Sequence, residues 1–152
     1  MSKVFKSVVY EQTIKYNGIS IVKAKINSSS VAYEYLLNML QHEGLEHKEY
    51  FYALYLNKAN NTVSFSKISE GGISGTVVDV RLIMKHALDS LASGIILVHN
   101  HPSGNPKASE ADKNITSKIK LAAELFDISI MDHIIILDRN GNYKSFADDG
   151  EL

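Results

Sequence analysis

Ile95-Ile96-Leu97-Val98 is the segment that most limits what this chain can fold into. Four consecutive aliphatic residues follow Gly94. The run is too short for a helix and rich in β-branched side chains, which fits a central strand covered on both faces. Such a strand needs apolar cover above and below it, so the rest of the chain must supply helices and partner strands. At 152 residues, 45% of them hydrophobic, the chain holds enough apolar material for one domain core, and two independent domains would be cramped.

The flanking segments supply that cover. Ser28, Ser29 and Ser30 offer N-caps for a helix whose stripe is Val31, Tyr35 and Met39 with Ala32, Leu36 and Leu40, closing at Gly44. Tyr50 to Leu56 reads as a mostly buried strand, and the polar turn Asn57 to Asn61 leads to another from Val63 to Ile68. Asp79 can cap a helix with the stripe Val80, Ile83, Met84, Ala87, Leu88 and Leu91, and Gly94 lies beyond its end. After the loop Pro102 to Lys107, Ala111, Ile115, Ile119, Ala122 and Phe126 mark an amphipathic helix opening at Ser109. Ile128 to Leu137 is a further strand, and past the Asn140-Gly141 turn Tyr143 to Phe146 pairs back as an edge. Ahead of all this, Val4 to Glu11 and Ile19 to Ile26 flank Asn17-Gly18, which predicts an opening hairpin. The expected division is a hairpin extension over 1–27 and the main domain over 28–152.

Composition excludes several kinds of chemistry. Lys and Arg number 16 against 17 Asp and Glu, so no global field draws the chain to nucleic acid. With no cysteine there is no disulfide framework, thiolate zinc site or cysteine nucleophile, and any metal must use histidine and carboxylate ligands. No segment reaches the ~18 apolar residues of a membrane span, and the N-terminus lacks a long apolar run. A soluble, cytoplasmic protein with no membrane partner is the expectation.

The chemistry gathers at residues 99 to 112. Side chains at i and i+2 of an extended chain point the same way, so His99 and His101 can aim both imidazoles at one place while Asn100 points elsewhere. The following loop leads into a helix whose first turn carries Ser109 and Asp112, and that carboxylate can reach back to the strand end. Zinc accepts neutral imidazole and carboxylate, and a catalytic zinc keeps three protein ligands with the fourth position left to water. A blander origin is open for each part. Ser109-x-x-Asp112 also reads as a capping box with Asp in place of the usual Glu or Gln, and His-Asn-His-Pro as a polar loop at a strand end.

His99-x-His101, seven residues, Ser109, two residues and Asp112 has the spacing of the JAMM (MPN-plus) motif. Ile95 to Pro106 closely resembles the RadC branch of that family. Gly75-Thr76, Asp79-x-Arg81, Ala87-Leu88, Asp132-His133-Ile134-Ile135-Ile136 and Ser145-Phe146 are similar to RadC positions as well, so the resemblance spans roughly residues 30 to 150. It implies an α/β (mixed α+β) fold of the JAMM/MPN, cytidine-deaminase-like kind: three layers, with a central mixed sheet flanked by helices. It also implies one zinc ion per chain on His99, His101 and Asp112, and hydrolysis by zinc-activated water.

In the family a glutamate at the start of the strand before the motif serves as general base and then acid, and Glu49 fits that position. Glu46 and Glu70 are the fallback carboxylates. The motif serine, here Ser109, is implied to help stabilise the tetrahedral oxyanion. His133 reads as a satisfied core histidine and stays outside the predicted site, as do His42, His47 and His86; Arg81 reads as structural.

The implied activity is that of a metallopeptidase or isopeptidase acting on a peptide or protein substrate. The alternative is a DNA-repair-associated RadC-type protein whose domain binds nucleic acid or a protein partner, which near-neutral charge does not favour. RadC proteins usually carry a helix-hairpin-helix segment ahead of this domain, and no Gly-rich hairpin of that kind occurs in residues 1–27. A third reading, a scaffold that has lost catalysis, is opposed by the complete set of motif ligands.

Overall fold

The aliphatic run near residue 96 does form the centre of the sheet. The protein was analysed as a computed structural model that describes residues 21–71 and 77–152. Among these residues the elements run α1 (Ser29–Met39), β1 (Tyr50–Leu56), β2 (Thr62–Glu70), α2 (Val80–Asp89), β3 (Gly94–Asn100), α3 (Glu110–Glu124), β4 (Ser129–Ile136) and β5 (Tyr143–Ser145). Every residue of β1 and of β3 is buried, as expected of strands covered on both faces.

The five strands lie in the order β2-β1-β3-β4-β5. β1 pairs antiparallel with both β2 and β3, β3 pairs parallel with β4, and β5 closes the edge antiparallel to β4. A parallel neighbour needs a crossover, and α3 provides it between β3 and β4. One face of the sheet, carrying Tyr52, Leu54, Leu56, Ile96, Val98, Ile134 and Ile136, packs on Ala32, Tyr33 and Leu36 of α1. The opposite face, carrying Phe51, Ala53, Tyr55, Ile95, Leu97 and Ile130, packs on Ile83, Met84 and Ala87 of α2 and on Ile119 and Ala123 of α3. This is the expected three-layer α/β arrangement with a mixed sheet.

The predicted helix starts hold, and of the three serines offered for α1 it is Ser28 that caps. Ser28 accepts from the Val31 amide, Asp79 from Arg81 and Ser109 from Asp112. Helix ends are less well anticipated by glycine. α1 stops at Met39, short of Gly44, and Leu40 caps it with a bond to the Leu36 carbonyl. At the end of α2 it is Leu91 that takes the left-handed conformation, with φ 52°. Gly94 instead opens β3, where a Cβ would meet Met131 Cγ at 3.0 Å. The Asn17-Gly18 turn of the predicted hairpin lies outside the described residues. Its second arm, where described, makes a single bridge from Lys25 to Asn61 in place of a regular strand.

β4 contains a feature that no periodicity announces. Its pairing with β3 skips one residue, so that Ile95 lies opposite Ile130 and Ile96 opposite Asp132. The extra residue, Met131, inverts the alternation of everything after it. Ile128 and Ile130 belong to the α2/α3 face, whereas Ile134 and Ile136 belong to the α1 face. His133 is thereby turned to the α2/α3 side.

Asp132, 6% exposed, anchors the turn from β4 into the C-terminal segment. It accepts from the His133 amide (2.7 Å), the Ala147 amide (3.0 Å) and the Ser145 hydroxyl (2.7 Å). Replacing it strands buried donors, so Asp132→Ala should lower stability by about 3 kcal/mol. Denaturant unfolding would read this as a lower midpoint at constant slope, and hydrogen exchange should show lost protection around Ser145 and Ala147.

Candidate metal centre

β3 ends at Asn100, and its carboxyl end faces the start of α3 across the loop 101–109. His99 is the penultimate strand residue. The chain stays paired for one residue more, because the His101 amide donates to the Ile136 carbonyl at 3.0 Å. That keeps His101 on the side of His99, as the i, i+2 argument expects. Gly104, with φ 70°, then turns the chain, its amide bonded to the His101 carbonyl at 2.9 Å.

The three predicted ligands meet. His99 Nε2 lies 3.0 Å from His101 Nε2 and 3.2 Å from Asp112 Oδ1, and His101 Nε2 lies 3.6 Å from Asp112 Oδ2. Bonds of ~2.1 Å in a tetrahedral zinc site put donor atoms roughly 3.4 Å apart, so these spacings suit one ion between them. Among the described residues this is the group of His and carboxylate side chains able to hold a metal. The donor chemistry points the same way. The Asn105 carbonyl, 2.7 Å from His101 Nδ1, can only accept, so Nδ1 carries the proton and Nε2 is left to face its neighbours.

Ser109 and Asp112 form the capping box as well. The Ser109 hydroxyl accepts from the Asp112 amide at 3.1 Å, while Asp112 Oδ2 accepts from the Ser109 amide and hydroxyl, each at 2.7 Å. The two readings therefore coexist, since Oδ2 serves the cap and Oδ1 turns to His99. Burial acts to raise the Asp112 pKa, but hydrogen bonds from His101, His99 and Ser109 outweigh it and hold the carboxyl well below the usual carboxylate range. The hydrogen bond to Asp112 raises His101 above its ordinary 6.5, against burial, with further help from the Asn105 carbonyl and the Glu49 charge.

Glu49 lines the same cavity, of about 540 Å³, together with His99, His101, Ser109 and Asp112. Phe51, Val77, Val78, Ala111 and Ile115 give that cavity an apolar wall. The fallback carboxylates face elsewhere: Glu46 pairs with Arg139, and Glu70 with Lys48 and Lys67. Arg81 pairs with Asp79 at the surface.

Two residues that the sequence reading passed over join the site. Asn100, 2% exposed, donates to the Leu45 and Lys48 carbonyls (2.6 and 2.7 Å) and accepts from the Tyr50 amide (2.8 Å). It thus grips the chain on either side of Glu49. An asparagine inside an otherwise apolar strand was the available signal, because a buried amide must find partners. His133 is a satisfied core residue, as expected, but its partners are His99 and Thr116. Desolvation drives its pKa well below 6.5, with the neighbouring His99 adding to the effect. His133 contacts the aromatic ring of Phe51 edge-on at 5.6 Å, and the same ring stacks on His99 at 6.0 Å.

The family model described as RadC-like JAB domain matches residues 26–151. The chain belongs to the RadC-like JAB domain family. Relatives include a UPF0758 protein of Flavobacterium johnsoniae, 47% identical over 126 residues, which are 83% of this chain and 53% of that protein. Another from Porphyromonas gingivalis is 47% identical over 105 residues, covering 69% of this chain and 46% of the relative. A third, from Aliivibrio fischeri, is 38% identical over 143 residues, 93% of this chain and 62% of the relative. The chain therefore spans about half the length of the relatives it matches. Among the described residues no helix is long and apolar enough to cross a membrane.

This RadC-like domain should carry about one zinc per chain by elemental analysis, and His99→Ala or Asp112→Ala should each remove it. Unchanged metal in both variants would contradict the assignment. Zinc affinity should also rise with pH. In the metal-free protein the protonated His101 paired with Asp112 stabilises the fold fully below 6.5, and that contribution is lost as pH climbs through the raised folded value. Zinc must displace that proton, so competition titrations should show weaker binding on the acid side and proton release on uptake.

Proposed function

We propose that this domain is a zinc-dependent amide hydrolase, a metallopeptidase or isopeptidase. The observation that carries the reading is the convergence of two imidazoles and one carboxylate at the floor of a cavity that a further carboxylate, Glu49, also lines. When bound, zinc supplies Lewis acidity there, polarising a carbonyl oxygen and making water a nucleophile near neutral pH.

The remaining work falls to the protein. Glu49, which lines the cavity together with His101, takes the proton from the attacking water and passes it to the leaving amine nitrogen. Asn100 keeps that carboxylate in place through its bonds to Lys48 and Tyr50. Ser109 holds Asp112 by the capping box and lines the cavity; stabilising the oxyanion requires its hydroxyl to swing from Asp112 Oδ2 toward the substrate. The apolar wall of Phe51, Val77, Val78 and Ile115 suits an extended peptide presenting a hydrophobic side chain next to the scissile bond.

Glu49→Gln tests the assignment, because it preserves shape and removes the base. Zinc content should stay at the wild-type level while cleavage of a fluorescence-quenched peptide library falls by about 10²-fold or more. Wild-type turnover in Glu49→Gln would move the proton transfer to another group.

A further inference from the structure

The buried neighbours of His99 determine which of its nitrogens bears the proton. Thr116 Oγ1 lies 2.6 Å from the Asp112 backbone carbonyl and 2.6 Å from His133 Nδ1. The carbonyl can only accept, and without a hydrogen between them the two oxygens would repel at that distance, so the single hydroxyl proton of Thr116 points at Asp112. The hydroxyl must then accept from His133, which places the proton of that ring on Nδ1. His133 is fully buried and its ring pairs with Thr116 and His99, not with a carboxylate, so the ring is neutral and its Nε2 is bare. That bare nitrogen lies 2.8 Å from His99 Nδ1, which must donate to it. The lone pair of His99 is left on Nε2, the atom 3.2 Å from Asp112 Oδ1 and 3.0 Å from His101 Nε2.

We infer that Thr116 and His133 are positioning residues for the metal centre: a relay of three hydrogen bonds, begun at the Asp112 carbonyl, locks His99 in the tautomer that presents Nε2 as a donor to the ion. The inference rests on the metal-binding reading of the site. The relay starts on the backbone of one ligand and ends on the ring of another, so the helix that carries Asp112 also sets the chemistry of His99. The Asn105 carbonyl likewise fixes a proton on His101 Nδ1, so Nε2 is the nitrogen of that ring left for the ion. Partners of this kind fix ring orientation as well as tautomer, and removing one typically lowers metal affinity about 10- to 100-fold.

The test has two arms. In isotope-labelled, metal-free protein at mildly alkaline pH, imidazole nitrogen NMR should show His99 and His133 each protonated on Nδ1 and bare on Nε2. A proton on His99 Nε2 overturns the relay, whatever the protein does with metal. In the second arm, Thr116→Val keeps the branched shape and removes the hydroxyl, leaving His133 Nδ1–H without an acceptor. Zinc affinity, read by chelator competition, should fall about 10- to 100-fold, and Thr116→Ser should restore most of it. Equal affinity in wild type and Thr116→Val, both folded by circular dichroism, overturns the relay while leaving the metal reading intact. If wild type shows Nδ1–H on His99 yet takes up no zinc, the metal reading is what fails.

Discussion

The candidate site depends on β3 having an antiparallel neighbour on one edge and a parallel neighbour on the other. Because β1 runs antiparallel to β3, the beginning of β1 lies beside the end of β3, with Phe51 opposite His99. Glu49, just ahead of β1, is therefore brought to the histidines by strand pairing alone, although fifty residues separate it from His99. Because β4 is parallel to β3, the chain must return along the sheet before β4 can start, and α3 begins where β3 ends. Asp112 in the first turn of α3 is delivered to the same corner. Ligands gather outside the carboxyl ends of parallel strands for this reason in many α/β folds.

The second requirement is polar satisfaction where the site meets the buried core. Asp112 shows how one side chain meets two demands, with Oδ2 given to the helix cap and Oδ1 to His99. The cap alone would occupy a carboxylate without any metal, and a metal alone would leave the helix N-terminus open; the geometry supplies both. Asn100 solves a related problem. It sits between two ligands on the opposite face of the strand, and its amide closes three backbone groups of the segment 45–50 that would otherwise be unpaired against β3.

Much of this was legible in the sequence. Continuous apolar runs announced β1 and β3, 3.6-residue stripes announced α2 and α3, and Ser28, Asp79 and Ser109 announced the helix starts, because each of these signals is local. The convergence of His99, His101 and Asp112 was legible from spacing on a strand and a first helical turn, and the resemblance to the JAMM motif marked the three as candidate ligands. What could not be read depends on distant partners or on register. The bonds of Asn100 reach back to Leu45 and Lys48, those of His133 to His99 and Thr116, and neither set follows from periodicity. Helix ends were misplaced where glycine was taken as the stop, since Leu40 caps α1, Ser90 caps α2 ahead of the left-handed Leu91, and Gly94 opens β3 where a Cβ would crowd Met131. The opening hairpin placed at Asn17-Gly18 lies outside the described residues.

Met131 gives the molecule a phase shift. One residue without a partner in β3 changes the parity of β4, so the residues after it exchange the α1 layer for the α3 layer. An uninterrupted strand would send His133 into the aliphatic layer under α1 and turn Ile134 toward His99. The three ligands would still be present, and so would their spacing, yet His99 would face hydrocarbon on its buried side. The electrostatic setting of His99 is thus decided by a residue count in a neighbouring strand, outside the motif itself.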